Sequence, residues 1–218
     1  MISSIAKALT ESYTYSAYRQ LVSDLLKEGK STGHQQTEDL THYSALNETR
    51  MNRLDKTMKI SEDSINQLKS LHNEFVCIVI SEGWCGDAAQ LLPVFNKMSE
   101  ASEGKIEMRI VLRDEHLDVM DQFLTNNARA IPKLIVLEKE TSNVVAQWGP
   151  RPKPAFDLIV NYKKEHGIID ETIKTELQLW YLHDKGMTTQ NEIMTMMLEV
   201  DQELSQNEIL EKVKVGLK

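Results

Sequence analysis

The feature that most constrains this chain is an apolar run that leads directly into a helix with a cysteine at its start. Residues Phe75–Ile80 are apolar throughout, which is typical of a strand covered on both faces of a sheet. The segment Trp84-Cys85-Gly86-Asp87-Ala88 follows, and an amphipathic pattern continues to Ser99. The sequence therefore predicts a buried central strand that ends at a helix carrying Cys85 at its N-terminus.

The pattern from Glu74 to Gly167 predicts the order strand, helix, strand, helix, strand, strand, helix. Parallel strands joined by a helix require a right-handed crossover, so this order indicates a three-layer α/β sandwich. Two more strands are predicted at Ile106–Leu112 and Leu134–Leu137, and two helices at Ala88–Ser99 and Leu117–Asn126.

The overall composition is that of an acidic globular protein. With 25 basic and 33 acidic residues the net charge is -8, which argues against nucleic acid or an anionic membrane as the partner. No window approaches the roughly 20 apolar residues of a membrane span, and the start lacks a signal-peptide pattern, so we expect a cytoplasmic protein. Two cysteines make neither a disulfide framework nor a metal site, and no metal or other cofactor is expected.

Four landmarks occur in the order found in thioredoxin: the segment Trp84-Cys85-Gly86, a proline at position 93 inside the following helix, the segment Arg129-x-Ile131-Pro132, and Gly149 after the last strand. From Phe75 to about Asn161 the chain thus resembles the thioredoxin family. The resemblance implies a nucleophilic Cys85 at a helix N-terminus, facing an Ile131–Pro132 peptide bond that is cis. It also implies a role in the site for Trp84, Gly86, Asp87 and Gly149.

A closer resemblance is to a set of bacterial thioredoxin-like proteins. They share the Trp-Cys-Gly-Asp-Ala motif, an Arg-Asp-Glu motif after the middle strand, here Arg113–Glu115, and a Trp-Gly-Pro-Arg motif, here Trp148–Arg151. These proteins have a single active-site cysteine.

The chain also departs from the dithiol thioredoxins at three positions. Ala88 stands where the resolving cysteine of that family lies, Asp87 replaces its proline, and Val79 replaces a buried aspartate that assists proton transfer. A disulfide reductase normally needs a second thiol to release its substrate from the mixed disulfide. We therefore expect the setting of the nucleophile without its proton-handling and release groups.

Opposing effects act on the expected Cys85 thiolate. The amides and dipole of a helix N-terminus lower a cysteine pKa from about 8.5 toward neutrality, whereas the nearby Asp87 carboxylate opposes a second negative charge.

Arg151 either pairs with Asp87 or a substrate carboxylate, or points into solvent, and the sequence favours neither. Arg129 is interpreted as structural.

The second cysteine, Cys77, lies inside the first predicted strand. A strand rises about 3.3 Å per residue, which places Cys77 beyond the roughly 7 Å Cα separation that a disulfide to Cys85 allows. Cys77 is therefore interpreted as a small buried hydrophobic residue.

Helical segments flank the predicted thioredoxin-like domain at residues 73–167. Residues 1–72 form an N-terminal extension, with helices predicted at Tyr13–Glu28 and Thr37–Lys59 and a third helix capped by Ser61. Residues 168–218 form a C-terminal extension. Capping-box patterns that begin at Thr189 and Ser205 predict two short helices there, and the methionines between them are interpreted as a packed helix face. The extensions either cover one side of the sheet or form a homodimer, and the sequence favours neither.

Two functions from different classes remain open. In the first, Cys85 carries out monothiol thiol–disulfide exchange on a protein or a low-molecular-weight disulfide, in cellular redox homeostasis. In the second, a non-catalytic peptide-binding or chaperone-like module uses the groove beside Ile131 and Pro132, where the backbone offers strand-like pairing. The reactivity of Cys85 distinguishes the two, since a binding module tolerates serine at that position.

Overall fold

A single four-stranded sheet forms the centre of the molecule, in the strand order β2-β1-β3-β4. The computed structural model describes the backbone of residues 3–216 and the side chains of residues 3–207 and 210. Strand β1 is parallel to β2 and antiparallel to β3, which is antiparallel to β4. The strands are β1 at Phe75–Ser81, β2 at Ile106–Leu112, β3 at Lys133–Glu138 and β4 at Val144–Trp148.

Both faces of the sheet are covered. All of β3 and all of β1 except Val76 are buried, and because successive side chains point to opposite faces, each face is packed against other elements. Within the domain the helices are α5 at Gly86–Ala101, α6 at Leu117–Met120 and α7 at Lys153–His166. Before it lie α1 at Ser3–Thr10, α2 at Tyr15–Lys27, α3 at Glu38–Thr57 and α4 at Glu62–Ser70, and after it α8 at Glu171–Asp184 and α9 at Met187–Gly216.

The predicted fold class is confirmed: a thioredoxin-like α/β sheet with helical extensions at both ends. The strand and helix order of the central domain is the predicted one, and Ser61 caps α4 by accepting the Ser64 amide at 3.1 Å. The helix at Ser3–Thr10 is an addition, since the prediction placed the first helix at Tyr13. Among the described residues no helix combines the length and the apolar composition needed to cross a membrane.

The helix predicted at Leu117–Asn126 is shorter than expected and ends at Met120. The chain then makes a tight turn in which Thr125 and Ala128 exchange backbone hydrogen bonds at 3.0 Å. Asn126 and Asn127 lie at its tip with φ of 50° and 60°. Asparagine tolerates this left-handed region better than most residues, so the Asn-Asn pair suits the tip of this turn, which occupies the C-terminal part of the predicted helix.

The prediction of two short helices that start at Thr189 and Ser205 is wrong. Instead, α9 runs without a break across both positions. Its start is capped by the Asp184 carboxylate, which accepts the Thr188 amide at 3.2 Å. Glu192, the expected partner in the first capping box, accepts hydrogen bonds from Trp148 Nε1 at 2.8 Å and from the Lys153 amide at 2.7 Å.

The face of α9 that carries the methionines is packed, as predicted. Met194 and Met197 are buried, together with Ile193. Glu192 fastens the same helix to the end of β4 and the start of α7. The C-terminal extension is thereby joined to the sheet beside the Trp148–Arg151 segment.

A second attachment of α9 is made by the buried Asp201 carboxylate. It accepts the backbone amide of His72 at 3.0 Å, the amide of Asn73 at 2.8 Å and the Asn73 side chain at 2.9 Å. Burial raises the pKa of Asp201, but the hydrogen bonds from Asn73 and His72 outweigh it and leave the pKa below its usual value. Asp201 therefore connects α9 to the turn that precedes β1.

We predict that Asp201→Asn lowers the free energy of unfolding by about 2 kcal/mol at pH 7. In the variant an NH2 group replaces one carboxylate oxygen, so an N–H donor of His72 or Asn73 faces another donor and loses its acceptor. Because the pKa of Asp201 is lower in the folded state than its unfolded value of about 3.9, the Asp201 carboxylate stabilises the fold above that pH. This stabilisation is lost as the pH falls through the folded-state pKa. The difference between wild type and variant should therefore shrink below about pH 4. Urea unfolding from pH 7 to pH 3 measures it. Glu199→Gln on the exposed side of α9 is the control, and a pH-independent difference would contradict the prediction.

Candidate functional site

The turn before Cys85 is held by two side chains of the N-terminal extension. Thr32 Oγ1 accepts the Gly83 amide at 2.7 Å, and Asn47 Nδ2 of α3 donates to the Gly83 carbonyl oxygen at 2.9 Å. Both backbone polar groups of the buried Gly83 are thus satisfied by elements outside the sheet. The position of Cys85 consequently depends on α3 and on the loop before it.

Cys85 is the N-cap residue of α5, as the sequence predicts. The Ala88 amide donates to Cys85 Sγ at 3.5 Å, and the Sγ–H donates to the Ile131 carbonyl oxygen at 3.3 Å. Only 7% of the residue is exposed. The thiol therefore lies between the helix N-terminus and the loop before β3, with little access to solvent.

The electrostatic balance at Cys85 favours the thiol over the thiolate. Burial, and after it the neighbouring Asp87 carboxylate, raise its pKa to about 12 against the opposing effects of the Ala88 amide and Arg151. Of the opposing effects expected at Cys85, those that disfavour the thiolate therefore exceed the lowering effect of the helix N-terminus. Loss of hydration outweighs a single long amide hydrogen bond.

Asp87 is the buried charge of the site. Its Oδ1 accepts the Tyr181 hydroxyl at 2.9 Å, and its Oδ2 lies 2.6 Å from Arg151 Nη2. Burial raises the pKa of Asp87, and the attraction of Arg151 and the Tyr181 hydrogen bond oppose that rise. Of the two alternatives for Arg151, the structure has the pairing with Asp87.

The Ile131–Pro132 and Gly149–Pro150 peptide bonds are both cis. These two loops pack against each other. Gly149 has a φ of 116°, and a Cβ atom there would overlap the Pro132 carbonyl oxygen. Only glycine fits such a close approach in this backbone region, so Gly149 supports the loop beside Cys85 from behind.

The remaining predicted residues divide between the site and its surroundings. Trp84 is half-buried under the Arg113 guanidinium, which lies 4.8 Å from its ring centre. A Cβ on Gly86 would be in ordinary contact with Gln178 and Arg50. Arg129 pairs on the surface with Asp121 at 2.6 Å, in agreement with its structural interpretation.

Cys77 is buried in β1 and unbonded. Burial raises its pKa to about 12. The strand continues from Cys77 to Ser81, a rise of about 13 Å. Cys77 is therefore out of reach as a resolving thiol for Cys85.

Tyr181, Thr32 and Asn47 were missed by the sequence reasoning. They lie in the extensions, far from Cys85 along the chain, and hydroxyls and amides are too common to stand out. A partial signal exists for Tyr181, because Ile173, Leu177 and Tyr181 repeat every four residues and all are buried. This spacing predicts an inward helix face, but not its contact with Asp87.

We predict that Asp87→Asn lowers the pKa of Cys85, because it removes a negative charge beside the thiolate and leaves Arg151 free to attract it. A fall of one unit gives about tenfold more thiolate at neutral pH. Iodoacetamide alkylation from pH 6 to pH 10, on a Cys77→Ser background, measures the shift. Asp63→Asn on α4 is the control, and an unchanged profile in Asp87→Asn would refute the electrostatic coupling.

We predict that Arg151→Met destabilises the fold by about 3 kcal/mol, because it leaves the buried Asp87 carboxylate without its cation. In the double variant with Asp87→Asn, most of that loss should be recovered. Urea unfolding of the four proteins gives the coupling energy. Additive losses would show that the pair contributes no interaction of its own.

Comparison with known proteins agrees with this fold. A protein of unknown function from Pseudomonas aeruginosa is 17% identical with a TM-score of 0.52, covering 86% of this chain and 98% of that one. An HIV epitope-scaffold is 17% identical with a TM-score of 0.51, covering 86% and 99%. No curated protein matches significantly. The sequence profile described as thioredoxin matches residues 33–166, more than half of the chain and including α3 and α4. The chain belongs to the thioredoxin family.

Proposed function

We propose that this protein carries out monothiol thiol–disulfide exchange through Cys85. The observation that supports the proposal best is the position of Cys85 Sγ, at the N-terminus of α5 and 3.3 Å from the Ile131 carbonyl oxygen of the cis-proline loop. A strand of substrate that pairs with this loop would bring its sulfur to Cys85. The resemblance to bacterial proteins with the Trp-Cys-Gly-Asp-Ala motif belongs to the same proposal.

The exchange uses one sulfur at a time. The Cys85 thiolate attacks one sulfur of a disulfide, forms a mixed disulfide, and releases the other half as a thiolate, which takes up the proton that Cys85 lost. A low-molecular-weight thiol then attacks the substrate sulfur of the mixed disulfide, forms a new disulfide with that half of the substrate, and releases Cys85 as a thiolate. With Ala88 in place of a second cysteine, this external thiol supplies the reducing electrons, so the proposal places the protein in a reducing cytoplasm.

The raised pKa of Cys85 makes the resting site slow. Its Sγ–H donates to the Ile131 carbonyl oxygen, the acceptor that an incoming peptide strand would use. A substrate that takes this acceptor removes the thiol's hydrogen bond and brings a sulfur within reach. Substrate binding and thiol release are therefore parts of one step, and low reactivity toward small reagents is expected.

The test compares the Cys77→Ser protein with the Cys77→Ser/Cys85→Ser protein after incubation with oxidised glutathione at pH 7 to 10. We predict a mass increase of one mixed disulfide on the first protein only, with a rate that rises steeply with pH. Added reduced glutathione should reverse it. Circular dichroism establishes that both proteins are folded.

No adduct at pH 10 on the folded protein, with a normal adduct after unfolding in urea, would refute the exchange. An adduct that reduced glutathione fails to remove would refute turnover. Either result favours the second candidate, a non-catalytic peptide-binding or chaperone-like module. Its supporting observation is the burial of Cys85 together with its raised pKa, and it predicts that Cys85→Ser leaves peptide binding intact.

A further inference from the structure

A groove runs along the surface between α3 and α8, and one end of it opens beside Cys85. Three adjoining cavities of about 550, 390 and 500 Å³ make it up. The first and second share Arg50, Thr175 and Gln178, and the second and third share Arg53 and Leu182. Because Trp84, Gly86 and Asp87 line the first cavity, the groove reaches both chain neighbours of Cys85.

The lining of this α3–α8 groove is unusually apolar for an exposed surface. Five of the large hydrophobic residues that remain exposed in the described part of the chain line it. They are Tyr43 and Leu46 on α3, Leu179 and Leu182 on α8, and Met187 at the start of α9. A concentration of this kind marks an interaction surface, whereas single exposed hydrophobic residues do not.

The charges along the groove are predominantly positive, although the protein carries a net charge of -8. Arg151 is paired with Asp87, and Lys174 with Glu171. Four further cations along the groove have no carboxylate within 4.0 Å among the described residues: Arg50, Arg53, Lys59 and Lys185. The groove therefore offers unpaired positive charge next to apolar surface.

The backbone on each side restricts what the groove binds. Both walls are helices, whose amides and carbonyls are used in their own hydrogen bonds except at the ends. An extended peptide would find no main-chain partners along such walls, whereas a helix satisfies its own backbone groups. From Leu40 to Met58 the α3 wall is about 27 Å long, enough for about five helical turns.

We infer that the α3–α8 groove binds an acidic amphipathic helix of the substrate protein. Its apolar side packs on Leu179, Leu182 and Leu46, and its carboxylates face Arg50, Arg53, Lys59 and Lys185. The inference rests on the proposed function, since it names the class of protein whose disulfide is presented to Cys85. Complementary charge also accelerates the encounter of the two proteins.

The probe is a fluorescein-labelled peptide of 18 residues with leucine at the i, i+3, i+4 and i+7 positions and glutamate on the other face. Anisotropy titration uses the Cys85→Ser protein, so no thiol chemistry contributes. We expect a Kd below about 100 μM, or about 5.5 kcal/mol of binding free energy. Affinity should fall as the salt concentration rises.

Two groove variants and one control localise the binding. Arg53→Glu/Lys185→Glu and Leu179→Ser/Leu182→Ser should each weaken it at least tenfold. All four side chains are exposed or line the open groove, so folding is expected to persist. The control, Val160→Ser/Lys164→Glu, removes an exposed hydrophobic residue and reverses a charge on α7 and should bind like the parent.

Three outcomes would overturn the inference: no binding of the acidic peptide up to 1 mM, unchanged affinity in both groove variants, or equal affinity for a lysine version of the peptide or a single-stranded oligonucleotide. Failure here is distinguishable from failure of the proposed function. Lost peptide binding with intact glutathione exchange refutes the groove alone. Intact peptide binding with no exchange refutes the redox chemistry alone.

Discussion

The buried carboxylate of Asp87 is the constraint on which the site depends. A carboxylate without water is costly unless it is paired and hydrogen-bonded, and its two partners come from separate segments, Arg151 from the loop after β4 and Tyr181 from α8. Each segment is positioned partly by this one group. The same charge opposes ionisation of Cys85, so the carboxylate that assembles the site also adds to the effect of burial in keeping its thiol protonated.

The N-terminal extension contributes to the site as directly as the sheet does. Thr32 and Asn47 satisfy both polar groups of Gly83, two residues before Cys85. In addition, the backbone amide of Tyr13 donates to the carbonyl oxygen of Ile110 at 2.8 Å, at the edge of β2 that no other strand of the described residues covers. This contact protects that part of the edge from pairing with other chains. The segments outside the central α/β pattern therefore position Cys85 and cover part of the β2 edge.

The central domain could be predicted from sequence because its signals are local. The apolar run at Phe75–Ile80 and the Cys85 turn require only neighbouring residues to interpret, and both predictions are correct. The predicted capping box at Thr189 failed because Glu192 found partners at Trp148 and Lys153, a tertiary contact that no local motif encodes. The state of Cys85 was also beyond the sequence, since motif and spacing reveal the helix N-terminus but not the depth of burial that outweighs it.

The departures from the dithiol pattern form a consistent set once α8 is considered. Asp87 and Ala88 stand in place of the proline and the second thiol, and Tyr181 of the C-terminal extension donates a hydrogen bond to Asp87. The inward side of α8 holds Asp87 through Tyr181, while its outward side, with Leu179 and Leu182, lines the proposed docking groove. A partner seated in that groove contacts the helix that fixes the charge beside Cys85. Under the two proposals, recognition of a substrate and control of the thiol therefore share α8, which suits a single-cysteine site because it has no internal thiol to reverse a wrong adduct.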